Sequence, residues 1–138
     1  MHFLEHINIE SIIIQIKPRY AETDQGGVVH HSVYPVWFEI GRTELLRANG
    51  LAYKDLEKEG VFFVVSELHI RYRRGAYYDE ELELETVCSK VTIGRVEHTY
   101  SLKRSKDKTI VAEGSTVLAC LDKEGNVQRI PEFMKPQR

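Results

Sequence analysis

The chain of 138 residues predicts an α+β fold, an antiparallel β-sheet of about five strands wrapped around one long central α-helix. Three observations carry this. Only one long stretch, 35–49, has helical periodicity, and from residue 61 onward apolar residues recur at every second position. The late strand-like runs are joined by short connections, which makes neighbours antiparallel. A sheet with one apolar face needs cover, and only the long helix can supply it.

Taken in order, HINIESIIIQIK (6–17) is isoleucine-rich with interspersed polar residues and reads as a strand. Pro18 ends it, because proline has no N–H to give to a ladder. In the helix, Trp37, Ile40, Glu44 and Ala48 trace one face; Phe38, Gly41, Leu45 and Ala48 trace another. That apolar arc is wide enough for burial over much of the circumference. Pro35 suits a first turn, with Ser32 or Tyr34 near the cap. Asn49-Gly50 stops the helix, since both residues tolerate positive φ. AYKDLEKEG (52–60) suggests a short second helix closed by Gly60.

The period then changes to two. VFFVVSELHIRYRR (61–74) is a long strand. ELELETVCSKV (81–91) alternates Leu82, Leu84 and Thr86 with glutamates. RVEHTYSLKR (95–104) sets Val96, His98, Tyr100 and Leu102 against Glu97, Thr99 and Ser101, and TIVAEGSTVLACL (109–121) is another long strand. DKEGN (122–126) is a turn with Gly125 suited to the left-handed position, and VQRI (127–130) continues from it until Pro131. One helix covers five strands poorly, so the sheet is expected to pair with another subunit.

The length suits one domain spanning 1–138, with no linker, repeat or low-complexity tract. A net charge of -2 gives no global field that argues for nucleic acid or membrane. Cys88 and Cys120 fall inside apolar runs, as buried free thiols do, which fits a reducing cytoplasm. MHFLEHINIE lacks a signal peptide's long apolar region, and no run approaches the ~20 apolar residues of a membrane span. A cytoplasmic protein is therefore expected. His30 and His31 are adjacent and cannot easily share a metal. His2, His6, His69 and His98 lack ligand spacing, so no metal is expected. His98 reads as a packed strand residue.

There is no G-x-S-x-G elbow, Walker A loop or C-x-x-C pair. DQGG matches D-x-x-G, which is uninformative without a phosphate-cradling loop. Asp24 before Gly26-Gly27 is by itself an ordinary turn aspartate. Its context adds a second reading. The glycines let backbone approach a ligand, and the loop leads directly into a helix N-terminus. Unpaired N–H groups there favour an anion or a polarised carbonyl. A carboxylate ionised at neutral pH and a ready oxyanion site are two parts that acyl transfer needs.

RYAETDQGGVVHHSVYPVWFEIGRTELLR (19–47) resembles the signature of the 4-hydroxybenzoyl-CoA thioesterase family, and most closely its Tol–Pal-associated thioesterase-like branch. The likeness continues through HIRYRRGAYYDEELELET (69–86) and DKEGNVQRIPEFM (122–134), covering nearly the whole chain. The Asp-x-x-Gly-Val-Val-x-His-x-x-Tyr core is its most specific part. The resemblance implies a hotdog fold and hydrolysis of an acyl-CoA to free acid and CoA. It also implies assembly as a dimer or a dimer-of-dimers tetramer. No cofactor is implied, since CoA belongs to the substrate.

By the same resemblance Asp24 matches the catalytic aspartate, as nucleophile or general base. His31 matches the residue whose backbone N–H polarises the thioester carbonyl. Gly27, Val29 and Tyr34 belong to the core expected beside the substrate, and Tyr34 reads equally well as a packed first-turn aromatic. Two positions depart from the family's pattern: His30 stands where relatives commonly have tyrosine, and Gly75-Ala76 where many have proline-alanine. The second departure is expected to loosen a loop near the CoA. Glu39 and Glu44 lie on the helix, where another hotdog branch keeps its carboxylate; Glu39 is the better second candidate and can pair with Arg42. CoA phosphates need cations, which RYRRGAYY (71–78) offers in Arg71, Arg73 and Arg74. Lys90, Arg95 and KRSKDK (103–108) offer more. Two rival readings remain: a hotdog hydratase or dehydratase that recruits His30 or His31, and a non-catalytic acyl-CoA-binding module.

Overall fold

A computed structural model of the protein describes residues 9–134. The predicted residues 6–8 of the first strand lie outside that range. The order is β1 (Ser11–Ile16), a 3-10 turn (Tyr20–Glu22), α1 (Tyr34–Ala48), α2 (Tyr53–Lys58), β2 (Phe62–Tyr72), β3 (Leu82–Val91), β4 (Arg95–Arg104) and β5 (Ile110–Leu121). A second 3-10 turn, Glu132–Met134, follows. The strands form one antiparallel sheet in the order β1-β3-β4-β5-β2, with α1 packed on one face. This is the expected five-stranded sheet with its helix. VQRI contributes only an isolated bridge, Leu121 to Val127.

The period-two reading locates the inner face of the central strands. Leu82, Leu84 and Thr86 on β3 are buried, as are Val96, His98, Tyr100 and Leu102 on β4. Register puts Leu84 opposite Leu102 and His98 opposite Thr116, so one face is continuous across three strands. The helix reading needs correction. Tyr34, Trp37, Phe38, Gly41, Arg42, Leu45 and Leu46 are the buried set on α1, whereas Ile40 and Ala48 face outward. Gly41 explains the choice of face. A Cβ there would lie 2.2 Å from Thr86 Oγ1 and 3.0 Å from Leu84, so glycine lets helix and sheet approach. The ends also differ from expectation. Val33 is the cap residue and offers no side-chain hydrogen bond. Asn49 keeps φ at -89° and stops the helix through its side chain, which donates to the carbonyls of Leu45 and Ile9. Gly50, at φ 80°, takes the left-handed turn.

The core has two apolar halves. Trp37, Phe38, Leu82, Leu84 and Leu102 belong to one; Leu46, Leu56, Val96, Leu118 and Cys120 belong to the other. Between them a polar band crosses the sheet under α1: Thr86, His98, Thr116 and, from the helix, Arg42, all buried. The cysteines are free, Cys120 buried and Cys88 partly so. Burial pushes the Cys88 thiol up to about 11, so it stays protonated and unreactive at neutral pH.

β2 is an edge strand, bonded only to β5. Val64, Val65, Leu68 and Tyr72 along it are 42–48% exposed. Val36 and Ile40 on the neighbouring side of α1 are exposed as well.

Candidate active site

The turn 24–28 is a tight hairpin. Thr23 bridges to Val29, the Asp24 amide donates to the Val28 carbonyl at 2.7 Å, and the Gly27 amide donates back to the Asp24 carbonyl at 3.0 Å. Gly27 has φ 85°, where a side chain is strained. The Asp24 side chain is exposed, with Oδ1 accepting the Val28 amide at 3.3 Å and its other oxygen open. Both uses of the residue therefore coexist: it shapes the turn and still presents a carboxylate.

Three attachments hold this hairpin. The Val29 amide donates to the Ala76 carbonyl at 2.8 Å, and Val28 bridges to Tyr77. The His30 amide donates to the Glu22 carbonyl at 2.9 Å. The buried Glu22 carboxylate accepts the Arg19 amide at 2.7 Å and the Trp37 indole N–H at 3.1 Å, tying the loop to α1. Burial alone would push the Glu22 carboxyl up; hydrogen bonds from Arg19 and Trp37 outweigh it and leave the group below its ordinary value. Gly75 lets the chain pass close to Val28. A Cβ there would meet Val28 Cγ1 at 2.9 Å, and the Gly75 carbonyl accepts Arg104 at 2.7 Å.

After Val29 the chain turns into α1. The Val33 amide donates to the His30 carbonyl, and the Ser32 amide donates to His30 Nδ1 at 3.2 Å. The His31 amide has no acceptor among the described residues. The His31 carbonyl accepts the Tyr72 hydroxyl at 2.8 Å, which fixes the peptide next to it. No acidic residue sits in the first turn and no side chain caps it. The positive end of the helix is thus left open to an anionic or polarised group. The rings of His30 and His31 stack at 4.3 Å on the surface, with His30 held by Ser32.

The other predicted site residues are placed differently. Val29 and Tyr34 are buried, at 4% and 2%. Tyr34 packs edge-on against Trp37 and Tyr72, the position of a core aromatic. Arg73 and Arg74 lie just past the end of β2, where both amides bond the Val111 carbonyl. The Arg73 guanidinium is occupied by Glu113 at 3.0 Å, whereas Arg74 is exposed without an ion pair among the described residues. Glu39 is exposed on α1 and pairs with Arg42 at 3.8 Å. No group of three or more His, Cys, Asp or Glu among the described residues could hold a metal. No described helix is long and apolar enough to cross a membrane.

Comparisons with known proteins identify the chain's family and fold. Residues 18–137 match the family model described as the thioesterase-like superfamily. The acyl-CoA thioesterase YbgC of Haemophilus influenzae is 36% identical over 78% of this chain and 78% of its own. The acyl-CoA thioester hydrolase YbgC of Escherichia coli O6:H1 is 30% identical over 88% of this chain and 84% of its own. Among solved structures, a DHNA-CoA thioesterase from Staphylococcus aureus superposes with a TM-score of 0.82 at 32% identity, covering 86% of this chain and 80% of that one.

Proposed function

This chain belongs to the thioesterase-like superfamily, and on that premise we propose that it hydrolyses acyl-CoA thioesters with Asp24 as the reacting carboxylate. The observation that carries the reading is an exposed carboxylate and the amide of His31, without an acceptor among the described residues, in the turn that leads into α1 two residues before its cap, Val33. The thioester carbonyl accepts from the His31 N–H, and the helix dipole favours the oxyanion that forms. Asp24 attacks the carbonyl carbon directly, forming a mixed anhydride as the C–S bond breaks, and water then cleaves the anhydride to free the acid and the carboxylate; or Asp24 takes the proton of a water that attacks the carbonyl carbon, and the C–S bond breaks from the tetrahedral intermediate. On either route CoA leaves as a thiolate that takes up a proton. A single turnover in ¹⁸O-water tests for the anhydride: water opening it at the aspartyl carbon leaves ¹⁸O in Asp24 and an unlabelled oxygen in the acid, an outcome the general-base route does not give. The names of the relatives support CoA esters as substrates.

The exposed Arg74, beside the strand that backs the Asp24 hairpin, serves the CoA phosphates. Two copies pair through β2, whose unpaired edge and exposed apolar side chains suit a second sheet. A dimer of dimers builds on that unit. A panel of acyl-CoAs with free-thiol detection tests the activity. Hydration of crotonyl-CoA in place of thiol release would mark a hydratase that uses the exposed histidines, and binding without turnover would mark a carrier.

A further inference from the structure

We infer that the groove between α1 and β2 takes the acyl chain, and that Arg42 selects chains that end in a carboxylate. The substrates are then monothioesters of α,ω-dicarboxylic acids of roughly six to eight carbons. This rests on the thioesterase reading and names its substrate class.

Arg42 is unusual for a residue midway along an amphipathic helix. Its side chain is only 10% exposed, and its ion pair is with Glu39 at 3.8 Å, a carboxylate left 70% exposed. An exposed partner at that distance offsets little of the cost of burying a guanidinium. The Tyr100 hydroxyl lies against Arg42 and also bonds Thr116 Oγ1 at 2.7 Å. Beside them His98 is 5% exposed, and its Nδ1 has no hydrogen-bond partner. Burial, with Arg42 adding to it, pushes His98 down to about 4, so at neutral pH it is an uncharged imidazole able to donate through Nδ1. A buried cation short of an anion and a buried nitrogen short of a partner are both satisfied by one carboxylate.

The position suits the far end of an acyl chain. Pro35 and Val36, at the first turn of α1, line one groove with Glu39, Arg42, Leu68 and Thr116. Arg42 also lines the apolar cavity that holds His98, Leu45, Leu46 and Phe63, so it stands between the two. It lies eight residues beyond Tyr34, about 12 Å along the helix, and helix side chains lean back toward the N-terminus. At about 1.2 Å per bond that rise is roughly ten bonds, and the reach of the Arg42 side chain back toward the N-terminus takes up part of it, leaving roughly six to eight carbons to the acyl chain. Glu39, on the rim of the same groove, opposes an anion and tempers the preference.

The test is the wild-type ratio of kcat/KM for adipoyl-CoA and suberoyl-CoA against hexanoyl-CoA and octanoyl-CoA. The dicarboxylic esters should be favoured by about tenfold or more, the worth of a buried charge-assisted hydrogen bond. Arg42→Met should reverse the preference, and Glu39→Gln should strengthen it. Wild type favouring the monocarboxylic esters overturns the inference; so does a folded Arg42→Met that keeps the wild-type ratio. Should Arg42→Met fail to fold, the wild-type ratio and Glu39→Gln still decide. If no thioester is hydrolysed at all, the catalytic reading fails separately. Calorimetry of suberoyl-CoA against octanoyl-CoA on the wild-type protein then decides the inference, tighter binding of suberoyl-CoA supporting it and equal or weaker binding refuting it.

Discussion

Asp24, His31 and His98 each owe their behaviour to what surrounds one functional group. Asp24→Asn keeps the amide-accepting oxygen that shapes the hairpin and removes the charge. It should cut thioester hydrolysis by about 10²–10⁴-fold, the usual worth of a positioned base, with an unchanged circular dichroism spectrum. Near-normal turnover would sink the assignment. His31→Ala retains the backbone N–H, so its loss should stay well under the ~100-fold that follows removal of an oxyanion donor. A complete loss would instead put the imidazole in the chemistry. His98 gives a stability signature. Its pKa is about 4 in the folded protein against 6.5 ordinarily, so the unfolded chain binds the extra proton first. The stabilising contribution is full above about pH 6.5 and is lost as pH falls toward 4, amounting to about 3 kcal/mol. Glu22, held below its ordinary 4.5, adds its own loss only at lower pH. Denaturant titrations from pH 7 to 4.5 should show the slope in wild type and a flatter one in His98→Gln.

At the scale of elements, α1 is the member that both supports and limits the site. The turn leading into it carries the His31 amide, and Trp37 in its first turn grips Glu22 behind the Asp24 hairpin. The register of helix on sheet is set where Gly41 meets Thr86 and Leu84. Gly41→Ala improves helix propensity by about 1 kcal/mol but drives a methyl into Thr86, and overpacking costs roughly 1–3 kcal/mol. A net loss of stability is expected in urea unfolding, and pairing with Thr86→Ala should restore part of it by removing the obstructing oxygen. Failure of the double variant to recover would place the strain elsewhere. The strands were legible because alternation is a local property: Leu82, Leu84 and Thr86 on β3 and Val96, His98, Tyr100 and Leu102 on β4 turn inward as the pattern requires, until a bulge at Cys88–Lys90 breaks the alternation of β3. Helix faces were less so. The wide apolar arc let Ile40 and Ala48 pass as inward, and nothing in the neighbouring residues marks Arg42 as the one that goes under the helix.

For the molecule as a whole, one helix leaves much of β2 bare. Its exposed valines, leucine and tyrosine, continuous with Val36 on α1, suit a second copy. Sedimentation should give a dimer or tetramer at micromolar concentration, and Val65→Lys with Leu68→Lys should give monomers. A monomeric wild type would refute the pairing. A second copy on β2 would cover the groove proposed for the acyl chain, so the double variant should also lose activity.

The order of elements, the single central helix, the antiparallel pairing and the turn at Asp24 that leads toward α1 were all readable in the sequence. Each depends on residues close together in the chain: alternation, turn glycines, a carboxylate seven residues before His31. The tertiary structure decided what depends on distant residues. Glu22 became the anchor of the hairpin only because Trp37 reaches it, and Gly75 a support because Val28 lies where its side chain would be. Arg73 is paired with Glu113, forty residues away, whereas Arg74 has no ion pair among the described residues. Arg42 and His98 were drawn together under α1 by the sheet register, which no local pattern encodes. Burial and pairing are properties of neighbours in space, and the chain alone specifies those only once it has folded.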